Sequence, residues 1–169
     1  MHYTGGLPTY IMGIPSGREG VRTTLRLMRQ LTRDGKKNPA VRAMAVQLTR
    51  TLPQKDFLSE IKKLYEFVRD RIRYVRDTRQ VETLHTPEIV LQTGQGDCDD
   101  KSVLLASLLE SIGHPTRFVA VAKEPGKFCH VFLQTRPIGT KKWISLETTE
   151  PVLMGWGPAN ITDAMIIEN

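Results

Sequence analysis

Two cysteines among 169 residues cannot build a disulfide framework, and a reducing compartment is the simpler expectation. No apolar run approaches the roughly 18 residues that a membrane span needs. The opening stretch MHYTGGLPTYIMGIPSG has no basic segment followed by an apolar one, so no secretory signal is read and a cytoplasmic location is expected. Internal repeats and low-complexity segments are also missing. Hydrophobic and charged fractions of 40% and 25% exclude wholesale disorder, a collagen-like repeat and a disulfide-dense mini-protein. At roughly 150 residues per domain, the length fits one domain, or one domain with an arm.

The charge is present but unevenly placed. Residues 1–60 carry ten Lys and Arg against four Asp and Glu, whereas residues 61–169 carry fourteen of each. All of the net +6 therefore sits in the N-terminal third. Such a surface could suit an acidic partner, either nucleic acid or an acidic protein face, although a solvated helix face is the simpler account.

Glycine and proline divide the chain. Residues 1–20 hold five Gly and two Pro and read as an irregular arm. Residues 21–55 read as a basic helical extension. Its first helix, 21–33, has Leu25, Met28 and Leu31 at helical spacing and ends at Asp34 and Gly35. Asn38 caps a second helix, with Pro39 at its first position, which runs to about Leu52. A core is expected over 56–151. It opens with a helix from Asp56 to Tyr74 whose apolar face is Leu58, Ile61, Tyr65, Val68 and Ile72. Thr86-Pro87-Glu88 starts a short helix through Leu91. After TGQG, Asp97 can cap a helix that is apolar nearly all round and is therefore buried, with Gly113 as its stop. The period then changes: 116–122, 129–135 and 142–148 read as strands of an antiparallel sheet. Residues 152–169 read as a tail of the same domain, and MGWGPANITDAMIIEN shows no clear element. Helices followed by strands make an α+β fold.

Cys98 draws attention because it opens the most buried helix. A thiol there feels the positive end of the helix dipole, which favours thiolate, and first-turn N–H groups could hold a developing oxyanion. Asp97, Asp99 and Asp100 oppose this by crowding the sulfur with negative charge. In FCHVFLQT, His130 shares a strand face with Phe132 and Gln134. In KKWISLETTEP, Glu147 shares one with Trp143 and Ser145. If these strands pair, Glu147 reaches one nitrogen of His130 and directs the other at Cys98, which is the logic of a thiol nucleophile.

The runs GDCDDKSVLLASLLESIGHPTRFVAV, CHVFLQT and WISLETTEP, preceded by YEFVRDRIRYVRDTRQVETLHTPEIVLQTGQG, resemble the transglutaminase-like superfamily of papain-type fold, in particular its small stand-alone bacterial and phage members. The resemblance covers about Leu58 to Pro151. It implies a buried Cys-bearing helix packed on an antiparallel sheet. It also implies Cys98 as nucleophile, His130 as general base and acid, and Glu147 as the orienting acid where Asp is usual. A second oxyanion donor is implied from a side chain before the cysteine, with Gln95 and Gln92 as candidates.

The expected chemistry is acyl transfer at a protein or peptide amide through a thioester, with hydrolysis favoured over cross-linking. The competing reading is a non-catalytic interaction or assembly module, in a phage particle or on nucleic acid, that uses the basic helices. No cofactor is expected. Metal binding by GDCDD is disfavoured, because soft and hard ligands crowd one helical turn. Cys129 should face away from Cys98, and no disulfide is expected. His85 reads as structural, His2 and His114 have no recognisable partner, and Trp143 reads as a core or site-wall aromatic.

Overall fold

A computed structural model describes residues 9–12, 17–76 and 82–169. His2 and most of the arm read over 1–20 lie outside the described residues. The elements are β1 (Thr9–Met12), α1 (Gly17–Gly35), α2 (Pro39–Thr49), α3 (Phe57–Arg71), β2 (Arg73–Tyr74), β3 (Glu82–His85), α4 (Pro87–Thr93), β4 (Gln95–Gly96), α5 (Cys98–Ser111), β5 (Thr116–Glu124), β6 (Lys127–Thr135), β7 (Ile144–Leu146) and β8 (Asp163–Glu168).

The helices begin where their caps dictate. Asn38 Oδ1 accepts the Ala40 and Val41 N–H groups, with Pro39 at the first helical position of α2. Asp56 caps α3 by accepting the Ser59 N–H at 3.2 Å. α4 ends at Gly94, whose φ of +65° is the left-handed conformation that glycine adopts without penalty. α1 differs from expectation, because it starts four residues earlier, at Gly17, and its first turn takes over the end of the stretch read as an arm.

α5 is the axis of the molecule. Val103, Leu104, Leu105, Leu108 and Leu109 are fully buried, on every side of the helix. It packs against α1, α2, α3, α4 and β6, so Leu25, Met28, Val41, Ala45, Ile61 and Val68 join it in one hydrophobic core. The sheet runs β7-β6-β5-β8, antiparallel throughout. β8 is the element that the sequence pattern concealed. It pairs with β5 from Arg117↔Glu168 to Ala122↔Asp163 along the sheet edge, and its residues alternate between half-buried and exposed. Short ladders join β1 to β3 and β2 to β4.

Two expectations for α3 and its surroundings change. Leu58 is 53% exposed and does not share the buried stripe, because it sits in the first turn beyond the edge of the core. Arg69 turns back to donate to Val152 O at 2.7 Å. His114 is completely buried and does have a partner. Its Nε2 lies 2.9 Å from Glu60 Oε2, and its ring meets Phe57 edge-on.

The end of α1 is a tight crossing. A Cβ on Gly35 would lie 2.6 Å from both Pro87 Cγ and Ser107 Oγ, so α1, α4 and α5 meet where only hydrogen fits. Gly35→Ala should therefore destabilise the fold by about 1–3 kcal/mol, the usual cost of overpacking. A urea unfolding curve for G35A that overlays the native one would show that the crossing has slack.

Candidate active site

α5 starts with a reciprocal cap. Asp97 Oδ1 accepts the Asp100 N–H at 3.0 Å, and the Asp100 carboxylate accepts the Asp97 N–H at 3.4 Å. Asp100 is locked further, since it accepts the His85 N–H at 2.8 Å and sits 2.8 Å from His85 Nδ1. The position of Cys98 is thus fixed by the cap before it and the buried helix after it. His85 serves that cap and does not line the cavity around the sulfur.

That cavity has a volume of about 380 Å³. Asp97, Cys98 and Asp99 line one side, Phe128 to Val131 and Ala120 another, and α1 the third. The Val131 backbone N–H reaches the Cys98 sulfur. Cys129 sits where the β5–β6 register slips, between the pairs Val121↔His130 and Ala122↔Phe128. Both cysteines are free thiols, and Cys129 is exposed.

His130 Nε2 lies 2.5 Å from Glu147 Oε2. With that hydrogen bond fixing the ring, Nδ1 is the nitrogen left to exchange a proton. The strand-face argument holds one pair further along, where Gln134 donates to the Ser145 hydroxyl at 3.0 Å. Glu147 itself lies just past the end of β7, where the chain bends. The Thr149 N–H and hydroxyl hold its Oε1 at 2.8 and 2.7 Å. Burial alone would raise this carboxyl. The His130 hydrogen bond and charge, together with the Thr149 donors, outweigh it and leave Glu147 below the ordinary range.

α3 holds the same bend, and sequence reasoning missed this. The buried Tyr65 hydroxyl lies 2.8 Å from the carbonyls of both Glu147 and Val152. Tyr65 read as one apolar position among five; only its hydroxyl, buried with the ring, signals a specific partner. Lys101, one turn into α5, is equally hidden. Its Nζ donates to Ile72 O at 2.7 Å and Arg69 O at 3.3 Å, closing the C-terminal end of α3. Burial pulls its pKa down to about 8, against the pull of Glu147 and Asp70.

Neither glutamine faces the cavity. Gln95 Oε1 accepts from Arg73 at 2.6 Å across the β2–β4 ladder, and Gln92 is exposed on α4. The Cys98 backbone N–H, a first-turn donor that the helix leaves unused, is placed beside the sulfur instead. Trp143 stands away from Cys98. Arg117 and Arg136 lie 4.2 and 5.2 Å from its ring, and it lines a separate cavity with Leu58 and Pro137.

The thiol does not follow the helix-dipole expectation. Burial pushes the Cys98 pKa well above the ordinary thiol value, and the Asp99 and Asp97 carboxylates push it further. Asp99 Oδ1 is 3.5 Å from the sulfur.

The profile of the transglutaminase-like superfamily matches residues 42–148. The chain belongs to that superfamily. No curated protein matches it. Among solved structures it is similar to a candidate cysteine protease from Cytophaga hutchinsonii, with a TM-score of 0.52 and 17% identity over 77% of this chain and 46% of that one. It is also similar to a candidate protease from Parabacteroides distasonis, with a TM-score of 0.56 and 12% identity over 81% and 34%. The chain thus spans less than half the length of either. This transglutaminase-like chain has a fold of the cysteine-protease type, and α1, which forms one wall of the cavity, precedes the matched residues. Among the described residues no group of side chains is arranged to hold a metal, and no helix is long and apolar enough to cross a membrane.

Two measurements test the electrostatics. Asp99→Asn should lower the inflection of Cys98 alkylation by iodoacetamide against pH; an unmoved inflection would remove Asp99 as a cause. For Lys101, the folded pKa of about 8 lies below the unfolded value of roughly 10.4. The cost of burying its charge is therefore present in full below pH 8 and fades as the pH rises toward 10.4, so stability should climb across that window. The stability difference between native protein and Lys101→Met should change there, whereas a difference independent of pH would mean that the ammonium is not desolvated.

Proposed function

We propose that this protein is a cysteine amidase or protease that acts on protein or peptide amides. The observation that carries this reading is that Cys98, at the head of the buried helix, and His130, held through Nε2 by a buried Glu147, line the same cavity.

In this reading, Cys98 Sγ attacks the amide carbon as its proton passes to His130 Nδ1. An S–C bond forms, and the carbonyl π pair moves onto oxygen, beside the Cys98 N–H. Collapse of that intermediate breaks the C–N bond. His130 returns the proton to the departing nitrogen, leaving a thioester and a free amine. Water, deprotonated by the same Nδ1, then releases the carboxylate and restores the thiol. Glu147 keeps the ring in one tautomer and stabilises the imidazolium without taking the proton itself.

The raised thiol pKa decides how the first step starts. Burial and the neighbouring carboxylates favour thiol over thiolate, so in this reading His130 acts as a general base during attack. Hydrolysis is favoured over transamidation because the α1 wall of the cavity is uncharged and offers no partner to an incoming lysine ammonium.

The basic N-terminal third favours an interaction module less than its composition suggests. Arg18 pairs with Asp163, Arg22 with Glu19 and Lys36 with Glu110, and Arg42 donates to Ser111 O.

With a dye-quenched casein digest as substrate, Cys98→Ala should abolish cleavage, and Glu147→Gln should lower kcat by roughly 10²–10⁴-fold. Cleavage that survives Cys98→Ala would remove the proposal. Incorporation of a labelled amine faster than hydrolysis would convert it to a transferase.

A further inference from the structure

We infer that α1 is the specificity element of this site, and that the cavity takes an uncharged aliphatic side chain on the acyl side of the scissile amide. This inference rests on the reading of Cys98 as an acyl-accepting nucleophile.

Three observations support it. First, every α1 residue on the cavity is uncharged: Gly17, Gly20, Val21, Thr24, Leu25 and Met28. Thr24, Leu25 and Met28 are buried, and Val21 is partly exposed. The opposite wall adds Ala120, Phe128 and Val131. An extended chain bonded to the sulfur would find apolar surface on two sides.

Second, the arginines that punctuate α1 are turned away or held. Arg18 pairs with Asp163 at the start of β8 and stacks over Phe128, with its guanidinium 5.5 Å from the ring centre. Arg22 pairs with Glu19. A basic helix thus presents an uncharged face to the reacting sulfur. A charged side chain lying along α1 would lose its water and find no opposite charge there. The carboxylates that line the cavity, Asp97 and Asp99, stand on the α5 side, Asp97 engaged in the cap and Asp99 beside the sulfur.

Third, the volume is selective. About 380 Å³ lies at the small end of the range of roughly 300–1,000 Å³ for ligand pockets. The space therefore suits the reacting residue and one modest neighbour. Each methylene that fits or fails to fit should change the rate by roughly 10–200-fold.

Peptidyl vinyl sulfones test the inference, because they need both the Cys98 thiol and the pocket, whereas iodoacetamide needs the thiol alone. Leucyl and valyl probes should label Cys98 at least tenfold faster than lysyl or glutamyl ones. Val21→Trp should cut leucyl labelling by more than tenfold while iodoacetamide alkylation stays within about twofold. Val21→Ala, which only removes volume, should shift the preference toward larger side chains and covers the case in which the tryptophan variant fails to fold. Equal labelling by all four probes, or no change of preference in either variant, would overturn the role of α1 and leave the nucleophile intact. Alkylation by iodoacetamide with no labelling by any peptidyl probe would instead remove the amide-cleaving reading, and this inference with it.

Discussion

Complete burial of one helix governs everything else here. α5 has apolar side chains on all its faces, so it must be covered by four helices and a sheet. Even its first turn is buried at Asp99, Asp100 and Lys101, with Cys98 partly exposed. A helix covered on every side cannot rotate or slide without exposing leucines, at roughly 25 cal/mol for each Å² uncovered. The first turn, and the sulfur on it, inherits that rigidity. The Asp97–Asp100 cap then satisfies N–H groups that such a buried end would otherwise leave unpaired.

The acid of the site is held quite differently. Glu147 belongs to no regular element; it sits in a bend pinned from several directions. Thr149 grips its carboxylate, the Tyr65 hydroxyl and the Arg69 guanidinium grip the backbone on either side of the bend, and Lys101 adds positive charge from below. A carboxylate this buried needs such company, since an unpaired one would be neutralised by a raised pKa. The network also joins α3 to the sheet, so a helix within the matched residues buttresses the partner of His130.

Much of this was legible from residue order. α4 is announced by Pro87 at its first position, since the Thr86 side chain makes no cap hydrogen bond. Asn38-Pro39, Asp56 and Asp97 announce their helices because a cap is a local device, complete within four residues. The all-apolar run after Cys98 announces burial for the same reason. The contiguity of GDC, CHV and LET with the right element types was enough to bring His130 and Glu147 together on paper. What stayed hidden depends on distant partners. β8 is an edge strand whose alternation is blurred by Met165, Ile166 and Ile167 in a row, and only β5 gives it a place. Gln95 looked available until Arg73 was seen across a two-residue ladder. Nothing local to Arg69 foretells its bond to Val152. For the thiol, the helix dipole and the opposing aspartates are both readable in sequence, whereas the desolvation that outweighs the dipole and the 3.5 Å approach of Asp99 are not.

The crowding of Cys98 by carboxylates has a consequence beyond turnover. Peroxide attacks thiolates far faster than thiols, and the first product, a sulfenic acid, is only one step from irreversible loss. A sulfur kept in the thiol form by burial, and after it by the Asp99 and Asp97 carboxylates, presents to such oxidants the form that they attack more slowly.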